Sequence, residues 1–129
     1  MFERFDEGAR RVIFYARAEA DAYGASRIET EHLLLAVLRE DKTLCKDVLG
    51  AVEKIDAVRK QVGTQLATRQ SPAKEIPLSN ECKQALHFAV EDADERGLMT
   101  ISTKQLFVAV LRIENSKALQ LLKTLGADI

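Results

Sequence analysis

The sequence predicts an all-α protein: two pseudo-symmetric four-helix repeats forming one compact bundle, with the last helix of the second repeat truncated or absent. Three observations carry that expectation. The chain matches itself without a gap when displaced by 73 residues, its apolar residues recur at spacings of three and four, and no segment alternates as a strand would.

The displacement places Ala16 on Ala89, Ala20 on Ala93, Gly24 on Gly97, Ile28 on Ile101, Thr30 on Thr103 and Leu33 on Leu106. The run Ala36, Val37, Leu38, Arg39 then meets Ala109, Val110, Leu111, Arg112. Cys45, Val48, Leu49 and Val52 meet Ala118, Leu121, Leu122 and Leu125, pairs of similar apolar character. One copy alone offers too small an apolar face to be stable, so the two are expected to pack as a single domain over residues 1–129. Repeat one takes 1–66, a linker 67–77 and repeat two 78–129; Ser71, Pro72, Lys74 and Pro77 break the helical pattern in the linker.

In repeat one, Asp6 caps a first helix whose buried face is Ala9, Val12, Ile13, Ala16 and Ala20, and Gly24 ends it in the left-handed conformation. Thr30 is expected to cap the second helix, leaving Glu31 in its first turn and Leu33, Leu34, Val37 and Leu38 on its core face. A third helix is expected over Leu44 to Val52, and a fourth from Ile55 to Leu66 through Val58 and Val62. Repeat two follows the same plan. Ser79 caps a helix ending near Gly97, Thr103 caps the next, and Ser116 to Leu125 forms another before Gly126.

A hydrophobic share of 47%, a charged share of 30% and a net charge of −1 describe a soluble globular chain with no excess of Lys and Arg to hold phosphates, so no nucleic-acid partner is expected. The charged opening MFERFDEGARR is no signal peptide, and no apolar run reaches membrane-spanning length, so the reading is cytoplasmic with no membrane partner. Cys45 and Cys82, without CxxC spacing, read as two buried thiols in a reducing compartment. An isolated domain of this kind is expected to be a monomer.

No GxxxxGK[ST] stretch exists to cradle phosphates, and His32 and His87 lie in no HExxH or Cys/His spacing, so neither a cofactor, a metal site nor a catalytic residue is expected. Adjacent residues on a helix point in different directions, so Glu31 and His32 do not form an acid/base pair. Glu31 reads instead as a binding group, a carboxylate at a helix start able to receive a guanidinium fork. The charge run Glu91, Asp92, Asp94, Glu95 and Arg96 reads as a solvated face, and His87 as a helix-surface residue.

The opening Met1 to Phe5, the helix-ending Gly24, and the run Ile28, Glu29, Thr30, Glu31, His32, Leu33, Leu34, Leu35 resemble the amino-terminal domain of the Clp (Hsp100) ATPases, nearest the ClpC branch. The stretch Thr103, Lys104, Gln105, Leu106, Phe107 is similar to a more divergent copy of the same motif. The resemblance covers nearly the whole chain and implies a double Clp repeat of eight helices without catalytic residues. It further implies a module that recruits substrate or adaptor proteins to a Clp AAA+ unfoldase or protease, in cis or in trans. The alternative is a free-standing accessory protein that docks on a Clp machine and modulates its assembly or adaptor access.

In ClpC-like members the family binds phosphorylated arginine through a Thr or Ser at the first helix start and the Glu of the TEH motif in each repeat. Carried over, this implies a protein or modified-arginine site at Asp6, Glu31 and Ser79. Two positions depart from the family pattern. Asp6 replaces the usual Thr, adding a negative charge where a phosphate would approach, and Lys104 replaces the second Glu, removing an acceptor for a guanidinium.

Overall fold

A computed structural model describes residues 3–65, 76–114 and 116–124. Seven α-helices occur among them: α1 (Glu7–Ala22), α2 (Thr30–Glu40), α3 (Lys42–Leu49), α4 (Ile55–Gln65), α5 (Asn80–Glu95), α6 (Thr103–Leu111) and α7 (Lys117–Thr124). The predicted all-α class and repeat are present. Most of the predicted linker, and residues 125–129 where repeat two was expected to lose its last helix, lie outside the described residues.

The long first helix of each repeat begins and ends alike. Asp6 Oδ1 accepts from Ala9 N at 2.8 Å, and Ser79 Oγ accepts from Cys82 N at 3.2 Å, so both are side-chain N-caps. Both helices end just before a glycine with positive φ, 66° at Gly24 and 67° at Gly97, a conformation in which a Cβ would be strained.

The second helix of each repeat starts one residue earlier than expected. Glu29 and Ser102 occupy the N-cap positions, and Thr30 and Thr103 are the first helical residues. The reason lies three residues on, where a side chain reaches back to the cap. His32 Nδ1 accepts from Glu29 N at 2.9 Å, and Gln105 Oε1 accepts from Ser102 N at 2.8 Å. The third helix also differs from the expectation. Asp41 caps it through Leu44 N at 3.0 Å, Gly50 ends it at φ 91°, and Val52 lies in the following 3-10 turn, Val52–Lys54.

Helix α2 sits at the centre, with every residue from Thr30 to Leu38 buried. It touches α1, α3, α4, α5, α6 and α7, which makes it the spine of one continuous core containing residues of both repeats. Each leucine fully removed from water there contributes roughly 1.5–3 kcal/mol. Both thiols are buried as expected, and burial raises the Cys82 thiol to about 12.

Two short parallel bridges relate the repeats by a pseudo-twofold exchange: Phe5 pairs with Ile101, and its repeat-two counterpart Leu78 pairs with Ile28. Asp6 N donates to Ile101 O and Ser79 N to Ile28 O, both at 2.9 Å. Ile101 N donates to Arg4 O and Ile28 N to Pro77 O, both at 2.8 Å. Each repeat thus places the start of its long helix against the start of the other's second helix.

Candidate functional site

That exchange decides which site residues meet. Sequence order groups Asp6 with Glu31 and Ser79 with Lys104. The backbone bonds group them the other way, placing the α2 start that carries Glu31 beside Ser79, and the α6 start that carries Lys104 beside Asp6. The cause is the need of each repeat to cover its apolar face with the other, which turns the helix starts toward each other across the pseudo-twofold axis.

At the first junction Glu31 is 0% exposed rather than presented on the surface, and Ser79 is buried too. Glu31 Oε1 accepts from Thr30 Oγ1 at 2.9 Å, and Thr30 Oγ1 in turn accepts from Ala118 N of α7 at 3.4 Å. Glu31 Oε2 has no hydrogen-bond partner, and neither has the buried His32 Nε2. Leaving such an atom unpaired costs about 1–3 kcal/mol, so this junction carries polar capacity that the fold itself does not use.

Burial raises the Glu31 carboxyl above its ordinary value, opposed by its own backbone hydrogen bond, by Thr30 and by the nearby Lys117. Burial, then the Lys117 charge, lowers His32 to about 4, so the ring is neutral near pH 7. Because Nδ1 accepts from the Glu29 amide, the neutral ring carries its proton on Nε2.

The second junction has the opposite character. Asp6 is half-buried and its carboxylate is committed to capping α1, while Lys104 is exposed on the first turn of α6. Beside Asp6, α1 approaches α6 closely at Gly8: a Cβ there would lie 3.0 Å from Thr103 Oγ1, so a larger residue would require that side chain to give by a few tenths of an ångström.

Several polar contacts had no clear sequence signal. Glu19, on the core side of α1, is buried with its Oε1 3.0 Å from Arg59 of α4 and 3.7 Å from Arg39 of α2. Tyr23 donates from its hydroxyl to Arg59 O at 3.0 Å. The role of His32 as an acceptor for its own helix start was signalled, however, by the three-residue spacing from Glu29 that Ser102 and Gln105 repeat. His87 is exposed as expected, 2.8 Å from Glu91. Within the charge run, Asp92 pairs with Arg96 and Asp94 with Arg4, which ties the amino-terminal segment to the end of α5. Among the described residues no helix is long and apolar enough to cross a membrane, and no group of three metal-binding side chains forms.

Comparison with known proteins gives the same architecture. The fold is similar to the N-terminal domain of the chaperone ClpD from Arabidopsis thaliana, at a TM-score of 0.83 and 29% identity, covering 99% of this chain and 88% of that one. It superimposes equally well, at 0.83, on the Hsp104 N-terminal domain from Candida albicans, covering 98% of this chain and 84% of that one; at 19% identity that likeness is one of fold. In sequence it is 33% identical over 131 residues to the chloroplastic chaperone protein ClpC1 of Oryza sativa, covering 99% of this chain and 14% of that protein. It is 26% identical over 130 residues to the negative regulator of genetic competence ClpC/MecB of Bacillus subtilis, covering 100% of this chain and 16% of that protein. The chain therefore spans about 15% of the length of such relatives. The family model of the Clp repeat (R) N-terminal domain matches residues 4–125, and the chain belongs to that family.

Proposed function

We propose that this chain is a non-catalytic protein-binding module that recruits substrate or adaptor proteins to a Clp AAA+ unfoldase or protease, and that the junction of Glu31 and Ser79 is one of its contact points. Family membership supports the first part. The second rests on one observation: a carboxylate oxygen, Glu31 Oε2, is buried beside two helix starts with nothing to bond to. A protein rarely keeps an unpaired buried carboxylate oxygen for stability's sake. A guanidinium, modified or plain, matches it in charge and geometry.

Asp6 is assigned to the same class of contact at the other junction. Its charge disfavours a phosphate there, and Lys104 disfavours a guanidinium, so the two junctions differ in what they accept. The test is an affinity capture from cell lysate by the wild-type chain, Glu31→Ala and Ser79→Ala, read by mass spectrometry for Clp subunits, adaptors and modified-arginine peptides. Capture of such proteins that weakens with Glu31→Ala is the expected result. An unchanged partner list for Glu31→Ala removes that residue from the site, and capture of no Clp-system protein at all overturns the recruitment reading.

A further inference from the structure

Glu31 is fully buried, yet its carboxylate has an oxygen to spare. Any ligand that reaches that oxygen must first move what lies over it. On one side is the first turn of α5, where the Glu31 charge acts on the Cys82 thiol together with Glu81. On the other is the first turn of α7, bonded to the start of α2 through Thr30.

The two sides are not held equally. The start of α5 is fixed by the Ser79 cap and by the backbone bond from Ser79 N to Ile28 O at 2.9 Å. The start of α7 meets α2 through the bond from Ala118 N to Thr30 Oγ1, which at 3.4 Å is long for an amide and a hydroxyl. Ser116 Oγ closes that first turn by accepting from Leu119 N at 3.1 Å, and the buried Leu121 and Leu122 anchor the helix further along.

Ser116 and Ala118 are buried and Lys117 between them is exposed, so the side chain that this turn holds out is an ammonium. Its charge acts on both Glu31 and His32, with Glu29 at the cap of α2 opposing it at Glu31. Displaced by 73 residues, Glu31 corresponds to Lys104 and Lys117 to Leu44, which is buried. Within this chain, carboxylate and lysine therefore occur together in one copy and are both replaced in the other.

We propose that the first turn of α7 gates Glu31, with Lys117 as the resident cation that an incoming guanidinium displaces. This deepens the reading of Glu31 as a guanidinium acceptor and rests on it. An ammonium is a single flexible point charge, whereas a guanidinium fork makes two parallel bonds to a carboxylate, so the second can replace the first.

The test compares the wild-type chain with Lys117→Met, which keeps the aliphatic stem and removes the charge, and with Lys123→Met, which removes the same charge from the exposed far end of α7. Carboxyl and imidazole titrations by NMR are expected to move the Glu31 and His32 midpoints upward by about 0.5 in Lys117→Met and to leave them in place in Lys123→Met, because a lost cation favours the protonated form of both groups. Acetyl-arginine amide, followed by chemical-shift titration, is expected to bind Lys117→Met about fivefold tighter than the wild type. In the wild type, saturation with this probe is expected to cost the Ala118 amide its protection from hydrogen exchange. Unmoved midpoints in Lys117→Met, weaker binding by that variant, or binding that leaves Ala118 protected overturns the gate. Equal binding by wild type and Lys117→Met overturns the gate and leaves Glu31 as an acceptor. Binding to neither overturns the acceptor reading and the gate with it.

Discussion

Leu35 and Val108 occupy the same place in the two repeats, yet one is 0% exposed and the other 52%. The residues are similar in chemistry, and their helices begin with the same cap-and-return arrangement. Their environments differ because repeat one carries α4 and the described part of repeat two carries no equivalent. The same contrast runs through His32 and Gln105, Glu19 and Asp92, and Glu31 and Lys104, in each of which the first is buried and the second is not. Among the described residues the first repeat is the more closed half, and three of the four exposed large apolar side chains, Leu98, Met99 and Val108, lie in the second; Phe14 of α1 is the fourth.

The strongest way to break that comparison is to truncate its defining pair. Leu35→Ala is expected to destabilise the fold by about 2–5 kcal/mol in urea denaturation, whereas Val108→Ala is expected to stay within about 0.5 kcal/mol. Similar losses at both positions would mean that the surface around Val108 is covered in solution.

The next largest effect concerns pH. The unfolded His32 takes up a proton near pH 6.5, but the buried ring does so only near 4, so stability is full above 6.5 and falls as the pH drops through that window. The loss amounts to about 3 kcal/mol for a shift of this size. Gln105 shows that an amide performs the same capping bond. His32→Gln is therefore expected to flatten the stability profile between pH 6.5 and 4, and a variant as acid-sensitive as the wild type would place the titrating group elsewhere.

Glu31 has the opposite sign. Its carboxyl is raised by burial, so the protonated form is the one the fold prefers and stability declines as pH rises through the elevated value. Glu31→Gln is expected to stabilise the chain by about 1–2 kcal/mol near pH 7.5, with the gain shrinking in mild acid. Thermal melts across pH distinguish this from a carboxylate that is paired in the native state, for which the substitution would destabilise.

The smallest effect sharpens the symmetry itself. Asp6→Ala and Ser79→Ala each remove a side-chain cap from an equivalent helix, and each is expected to cost about 1 kcal/mol. A cost at Ser79 well above that at Asp6, measured by denaturant midpoint, would show that Ser79 also supports the Glu31 junction.

Much of this architecture was legible in the chain. The caps at Asp6 and Ser79, the glycine stops at Gly24 and Gly97 and the buried face of α1 follow from local rules that act within a few residues. The starts of α2 and α6 were misplaced by one residue because two side chains compete for the capping role, and the return bond from His32 or Gln105 decides between them. The candidate site was legible as a list of residues and not as a set of neighbours. Asp6, Glu31 and Ser79 were identified by type and motif, but the burial of Glu31 depends on α5 and α7, which are far away in sequence.

The sequence by itself determined an all-helical duplicated unit, because helical periodicity, caps and an internal repeat are written in residue order. Only the tertiary structure decided which helix starts face each other and which repeat stays open. Those outcomes come from packing two apolar faces across an axis, and from α4, which covers repeat one and has no counterpart among the described residues of repeat two; neither is encoded in any short stretch of residues.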